Sequence, residues 1–285
     1  MLHQSHFIAV STSCRILNVS RSGYYDWLHR EPSQQLLRRD TLTTKIRLIH
    51  SSSRSTYGSP RVHKVLLREG TKCSENTVAK IMSLNKISAK LKKRYHVVTT
   101  DSSHALSVAG RLYQTTQTEV ARPEQVWVGD ITYIKTKEGF MYLSTVMDLY
   151  TRKIVGWSLQ NHMKVDLVID AFKQAWGRRL TPAPQLIYHS DRGSQYASCD
   201  FKEYLNKNNI TPSMSRRGNC YDNATMESFF HTLKTELVYR TTFFTQAQAH
   251  REIFEYIEIW YNRQRLHSSL GYLSPLEYEQ QHIAS

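Results

Sequence analysis

The spacing of apolar positions changes near residue 120, from a helical period to a strand-like one. Residues 11–30, STSCRILNVSRSGYYDWLHR, read as two short helices separated near Asn18 and Val19, with Ser20 placed to cap the second. Cys14, Leu17, Tyr24 and Leu28 are the apolar positions expected to pack that pair together. Leu42, Ile46 and Ile49, at spacings of four and three, predict a longer amphipathic helix that ends before Ser51. In TYGSPRVHKVLLREG, Pro60 suits a first helical turn, Val62, Val65 and Leu66 form one face, and Gly70 can end the helix. Ser74 can cap a further helix carrying Val78, Ile81 and Met82. Two short helices joined by a tight turn have the helix-turn-helix form, which either enters a major groove or serves as a packing unit.

Residues 97–120 are rich in Ser, Thr and Gln and show no period, as expected of a linker. Beyond it, EQVWVGDITYIKTKEGFMYLSTVMDLYTRKIVGWSLQ gives three strand-like runs broken at Lys137 to Gly139 and near Thr151 to Lys153. Val165, Val168, Ile169, Phe172 and Trp176 then mark a helix, and PQLIYHSD a buried strand. A helix over 198–208, a short strand near 210–213 and a helix over 222–238 follow. The order β-β-β-α-β-α-β-α predicts an α/β core with a mixed sheet, preceded by an all-α region. An amphipathic helix over 246–261 and a polar tail, YNRQRLHSSLGYLSP, close the chain. The domains expected are a basic helical DNA-binding region at 1–96, a linker at 97–121, the core at 122–240, and a C-terminal helix and tail packing on the core at 241–285.

Composition sharpens this division. The 285 residues include 38 Lys plus Arg against 24 Asp plus Glu, a formal charge of +14. Residues 1–120 hold 19 basic and 7 acidic side chains, so nearly all of the excess lies in the helical part. Clustered cations favour a polyanion through counterion release, which makes nucleic acid the leading partner and a solvated basic surface the rival explanation. Lys86, Lys90, Lys92, Lys93 and Arg94, without an intervening acid, are the best candidates for tracking phosphates, and Arg61 joins them as a DNA-contact candidate. No apolar run approaches the roughly 20 residues of a membrane span, and the first ten residues lack a cationic export signal. A cytoplasmic protein with reduced thiols is expected, since its four cysteines are far apart and form no C-x-x-C pair.

Three acids stand where structure would favour apolar or neutral residues. Asp130 lies in the first strand, Asp191 follows the strand residues Leu186 and Ile187, and Glu227 lies one turn into a helix. A carboxylate in a hydrophobic sheet is costly unless paired or bound to a cation. If the three converge, their repulsion would be relieved by oxygen-seeking divalent cations, Mg²⁺ foremost with Mn²⁺ as substitute. Taken singly, each acid has a structural alternative; for Asp191 it is an ion pair with Arg192.

The spacing makes a resemblance specific. Asp130 in VWVGDITYI, Asp191 in HSDRGSQY and Glu227 in GNCYDNATMESFFHTLKTE, with thirty-five residues between the last two acids, resemble the DD(35)E signature of transposases and retroviral integrases. More narrowly, TYGSPRVH, TTDSSHAL, MDLYTRKIVGW, TPSMSRRGN and YNRQRLHSSLGYLSPLEYE resemble the second-frame (OrfB) subunit of the insertion-sequence-three family over nearly the whole chain. The resemblance implies an RNase H-like core with Asp130 on the first strand, Asp191 just past the fourth and Glu227 on a following helix. All three would be both catalytic residues and metal ligands. Lys234, seven residues after Glu227, matches the family's basic position and lies two turns along the same helical face, where contact with terminal DNA is expected, or else pairing with Glu236. The resemblance also implies element-end and target DNA, a first-frame partner or a fusion with it, oligomers on DNA and a nucleoid location in a bacterium. The chain departs from the family pattern at Ser107 to Tyr113, within the linker.

Two other functions fit parts of this pattern: a DNA-binding regulator with an inert acidic core, and an RNase H-like nuclease. Asp148 is the rival metal residue, with a turn role favoured by its context; Asp222 and Asn223 suit a helix start. His189 shares a strand face with Asp191 and is expected either beside it or as a hydrogen-bonded core residue. Trp260, Tyr261, Arg263, Arg265 and His267 either grip DNA or pack the last helix on the core.

Overall fold

The computed structural model describes residues 9–89, 109, 119–179, 185–215 and 224–283. Five strands, β1 (Val126–Thr136), β2 (Gly139–Asp148), β3 (Ile154–Gln160), β4 (Ile187–Ser190) and β5 (Thr211–Met214), form one sheet in the order β3-β2-β1-β4-β5. Short connections make β1, β2 and β3 antiparallel, from Trp127↔Asp148 to Thr136↔Gly139 in the first pair. β4 and β5 run parallel to β1, which requires crossovers. Helix α6 (Val165–Gly177) supplies the first, and α7 (Ser194–Ala197) with α8 (Cys199–Lys207) the second.

Alternation along β1 assigns the two faces. Trp127 joins Phe172 of α6 and Phe201 of α8 in one core, while Val126, Val128 and Ile134 join α9 (Ala224–Glu236) and α10 (Gln246–Phe254) in the other. This is the RNase H-like mixed sheet expected from the sequence, covered on both faces.

The N-terminal helices are α1 (Val10–Ile16), α2 (Arg21–His29), α3 (Gln34–Ser52), α4 (Ser59–Arg68) and α5 (Glu75–Leu84). Ser20 caps α2 and Ser74 caps α5 through the amides of Gly23 and Thr77, and Leu42, Ile46, Ile49, Val62, Leu66, Val78, Ile81 and Met82 are buried together. One expectation fails here: Cys14 is buried, but Leu17 and Leu28 are exposed and do not pack α1 against α2. With so few apolar positions, two helices of seven and nine residues leave much of their surface in solvent.

Nor is the C-terminal segment a polar tail. α10 continues as a π-helical stretch, Glu255–Tyr261, and α11 (Pro275–Ile283) follows a longer connection that carries a single 3-10 turn, Ser268–Leu270. The wider winding buries Tyr256, Ile257, Trp260 and Tyr261 side by side. Glu236, at the end of α9, ties the segment down. Arg265 donates Nε at 3.1 Å and Nη2 at 2.9 Å to its carboxylate, joined by Tyr256 Oη at 3.0 Å and Trp260 Nε1 at 3.3 Å. Burial pushes the Glu236 carboxyl up, but Arg265 and these hydrogen bonds outweigh it and leave the pKa lowered. Trp260, Tyr261 and Arg265 are therefore core residues, and the DNA-gripping reading of them is withdrawn.

The same segment binds the N-terminal helices. Tyr57 accepts the Leu266 amide at 2.8 Å and donates to the Gln264 carbonyl, while Arg54 and Arg68 form ion pairs with Glu255 and Glu277.

Gly129 lets β1 pass over Tyr188: a Cβ there would lie 1.9 Å from the phenol oxygen and 2.6 Å from Cζ. Gly129→Ala is expected to lower the unfolding free energy by about 1–3 kcal/mol, as overpacking does. Urea titration checks it, and Gly129→Ala combined with Tyr188→Phe should recover part of the loss. An unchanged midpoint in the single variant would contradict the close approach.

Candidate active site

The register of β1 and β4 places two acids side by side. The parallel ladder runs from Val126↔Ile187 to Gly129↔Ser190 and stops. The next residue on each strand is an aspartate, Asp130 and Asp191. β1 continues to Thr136, whereas the chain after β4 turns away into α7. The two strands thus part at the acids, and the carboxyl edge of a parallel pair is where α/β sheets open a crevice. Asp130, Thr132, Tyr133, Tyr142, Asp191, Ser194 and Gln195 line a cleft of about 180 Å³ at this point.

Both acids are partly buried and locally anchored. Asp130 Oδ1 accepts the Ile131 amide at 2.8 Å, and Asp191 Oδ1 accepts the Gly193 amide at 2.9 Å. Burial first, then the charges of Asp191 and Glu227, push the Asp130 carboxyl well above the usual carboxylate range, against the Ile131 amide and Lys234, which lower it. Beneath them the hydroxyls of Tyr188 and Tyr196 are held neutral, chiefly by burial and further by both aspartates. The cleft is therefore built to receive positive charge.

Glu227 and Lys234 share a face of α9, about 20° apart at 100° per residue. Glu227 is exposed, and its charge is felt at Asp130. The Lys234 Nζ lies 4.9 Å from the centre of the Tyr133 ring at the cleft wall. Burial lowers the Lys234 pKa and Asp130 opposes that shift. The lysine thus faces the acids; Glu236, its suggested partner, is taken by Arg265. The three acids do not form a closed cage. Among the described residues no three His, Cys, Asp or Glu side chains make a ready-made cation site.

The other candidates separate clearly. Asp148 accepts the amides of Thr151 and Glu124 and the Thr151 hydroxyl at 2.7–2.8 Å, a turn role, with burial raising its pKa to about 6. His189 is fully buried between the hydroxyls of Ser213 and Ser215, a hydrogen-bonded core residue. Lys86 is exposed just past α5, while Arg61 is partly buried and donates Nε to the Leu266 carbonyl at 3.0 Å. Lys90, Lys92, Lys93, Arg94, Asp222, Asn223 and the departure at 107–113, apart from Ala109, lie outside the described residues. Sequence reasoning missed α7, whose Ser194 and Gln195 line the cleft. A four-residue helix after the glycine of HSDRGSQY is too short to leave an apolar period in the sequence.

Known proteins are similar in sequence to this chain over nearly all of its length. Residues 120–220 and 227–283 match two family models described as integrase core domain, and residues 37–95 match one described as HTH-like domain. The transposase for insertion sequence element IS904 of Lactococcus lactis is 42 % identical over 88 % of this chain and 98 % of its own length. Transposase InsF for insertion sequence IS3A of Escherichia coli is 37 % identical, over 99 % and 97 %. The insertion element IS600 31 kDa protein of Shigella sonnei is 40 % identical, over 94 % and 98 %. Among solved structures, a chain of the simian T-cell lymphotropic virus intasome in complex with PP2A regulatory subunit B56 gamma is similar at a TM-score of 0.47 and 14 % identity, over 82 % of this chain and 74 % of that one.

The raised Asp130 pKa has a consequence for stability. Folding takes up a proton at this group, so metal-free stability is greatest below the ordinary carboxylate pKa and falls as pH rises through the raised folded value. Asp130→Asn removes that loss. At pH 7 without divalent ions the variant is expected to melt a few degrees above the parent, a gap that closes toward pH 4. Mg²⁺ should raise the melting temperature of the parent more than that of the variant. Differential scanning calorimetry checks both, and a variant less stable than its parent at pH 7 would contradict the repulsion.

Proposed function

The chain belongs to the IS3 family of transposases, and we propose that Asp130, Asp191 and Glu227 carry out Mg²⁺-dependent cleavage at DNA 3′ ends followed by strand transfer. One observation carries the reading: the β1–β4 register ends with two aspartates abreast at the mouth of a cleft. The donor set fits a hard divalent cation, because its oxygens are carboxylates and their mutual repulsion already raises one of them. Mg²⁺ characteristically uses one or two carboxylates plus substrate phosphates, which suits an open site better than a closed cage. Asp130 and Asp191 would hold the ions, with Glu227 joining from α9, and Mn²⁺ would substitute. The chemistry such ions supply when bound is neutralisation of the attacking and leaving oxygens.

The chain's own residues contribute position and charge. Lys234 presents its ammonium beside the acids, offsetting phosphate charge. Water attacks the phosphorus and the 3′ oxygen leaves, giving a 3′ hydroxyl and a 5′ phosphate. That hydroxyl then attacks a target phosphodiester, forming one P–O bond as another breaks, so no outside energy source is needed. The basic N-terminal helices would hold element-end DNA, and a first-frame product or a fusion with it would add recognition and oligomer contacts in the bacterial nucleoid.

The test is Asp191→Asn assayed on labelled element-end duplex with Mg²⁺ or Mn²⁺. Strand transfer should fall at least 10³-fold, on the scale of losing a group that stabilises transition-state charge. DNA affinity should stay within about threefold, on the order of 0.6 kcal/mol. Transfer retained by this variant would remove the residue from the mechanism. Binding without transfer by the parent protein would favour a regulator, and hydrolysis of RNA in hybrids a nuclease.

A further inference from the structure

A second cavity, of about 400 Å³, lies against α9 on the side away from Glu227 and Lys234. Thr225, Ser228 and Thr232 form its wall on that helix. Their mean direction is turned some 140° from the catalytic pair at 100° per residue. Arg61 of α4, Arg152 of the β2–β3 turn, and Arg265, His267 and Ser269 of the C-terminal segment complete it.

The charge in this cavity is answered only in part, by Glu236 behind Arg265. No carboxylate lines it among the described residues. Arg265 is spent on Glu236, but the contacts shown for the other two guanidiniums are with neutral oxygens: Arg61 Nε with the Leu266 carbonyl at 3.0 Å, Arg152 Nη1 with the Thr225 hydroxyl at 2.7 Å. The buried Nε2 of His267 has no hydrogen-bond partner. Burial, then the neighbouring Arg265, Arg61 and Arg152, hold that imidazole neutral, so it adds a hydrogen-bonding group without a charge. Forked guanidiniums with hydroxyls around a concave site suit a tetrahedral phosphate oxyanion.

The geometry points to this cavity as a second phosphate seat, one that grips the DNA backbone away from the bond being cut. The inference rests on the DNA-transfer reading of the opposite face. The seat draws on all three parts of the chain, with Arg61 from the N-terminal helices, Arg152 from the β2–β3 turn, and His267 and Ser269 from the C-terminal segment.

Ser269, exposed at the mouth and outside the catalytic site, gives the test. Full-length Ser269→Glu and Ser269→Gln, each also carrying Asp191→Asn to block chemistry, are titrated onto a fluorescent element-end duplex over a range of KCl. The glutamate should weaken binding at least fivefold and flatten the log K against log [salt] slope by about one, and the glutamine should stay within twofold. Unfolding of the DNA-free variants is measured in parallel, and Arg152→Gln should lose the same unit of slope if Ser269→Glu is unstable. Wild-type affinity and slope in the glutamate and Arg152 variants overturn the seat. With the Asp191 background restored, a protein that shows the Ser269 dependence but transfers no strand sinks the catalytic reading and leaves the seat. Normal transfer and binding with Ser269→Glu do the reverse.

Discussion

The structure turns on a like-charge contact that the backbone imposes. Parallel pairing of β1 with β4 holds Gly129 opposite Ser190, and the chain puts an aspartate next on both strands. Asp130 is held by its own strand, and Asp191 by the turn in which its carboxylate accepts the Gly193 amide. Burial keeps them short of water, and Glu227 adds to the field at Asp130. The resulting cost is local and is relieved by a cation or by a proton. Buried strain of this kind is characteristic of a site that works on charge.

The rest of the fold supports that contact from behind. Gly129 lets the strand lie close on Tyr188, and α9 sets Lys234 over Tyr133 at the cleft wall and Glu227 where its charge reaches Asp130. The Glu236–Arg265 pair at the end of α9 is nine-tenths buried or more on both sides, and removing one partner of such a pair typically costs about 3–5 kcal/mol. It fixes the C-terminal segment, which in turn holds α4 through Tyr57 and Arg61. One helix thus turns Glu227 and Lys234 toward the acids, ends in a structural ion pair, and lines the arginine-bearing cavity with its remaining face.

Much of this was legible in the sequence because the signals are local. Strand alternation, the breaks at Lys137 and Thr151, the caps at Ser20 and Ser74 and the apolar spacing of α3 to α6 each depend on neighbours a few residues apart. The three acids were legible for the same reason, as charged residues in apolar surroundings. The C-terminal segment was not. Leu266, Leu270 and Ser274 are buried within a stretch that reads as polar, since its arginine and histidine are sheltered by partners far away in the chain. The placing of Arg61 was hidden likewise, because its carbonyl partner lies 205 residues on. Leu17 and Leu28 erred the other way, apolar residues without a surface to cover them.

The most direct measurement is anomalous diffraction from crystals of the protein soaked in Mn²⁺. An anomalous peak touching carboxylate oxygens of both Asp130 and Asp191 is the predicted result, absent when either is replaced by asparagine. Mn²⁺ bound elsewhere, or the two aspartates each neutralised by a protein cation, would contradict the view that their enforced adjacency makes the active site.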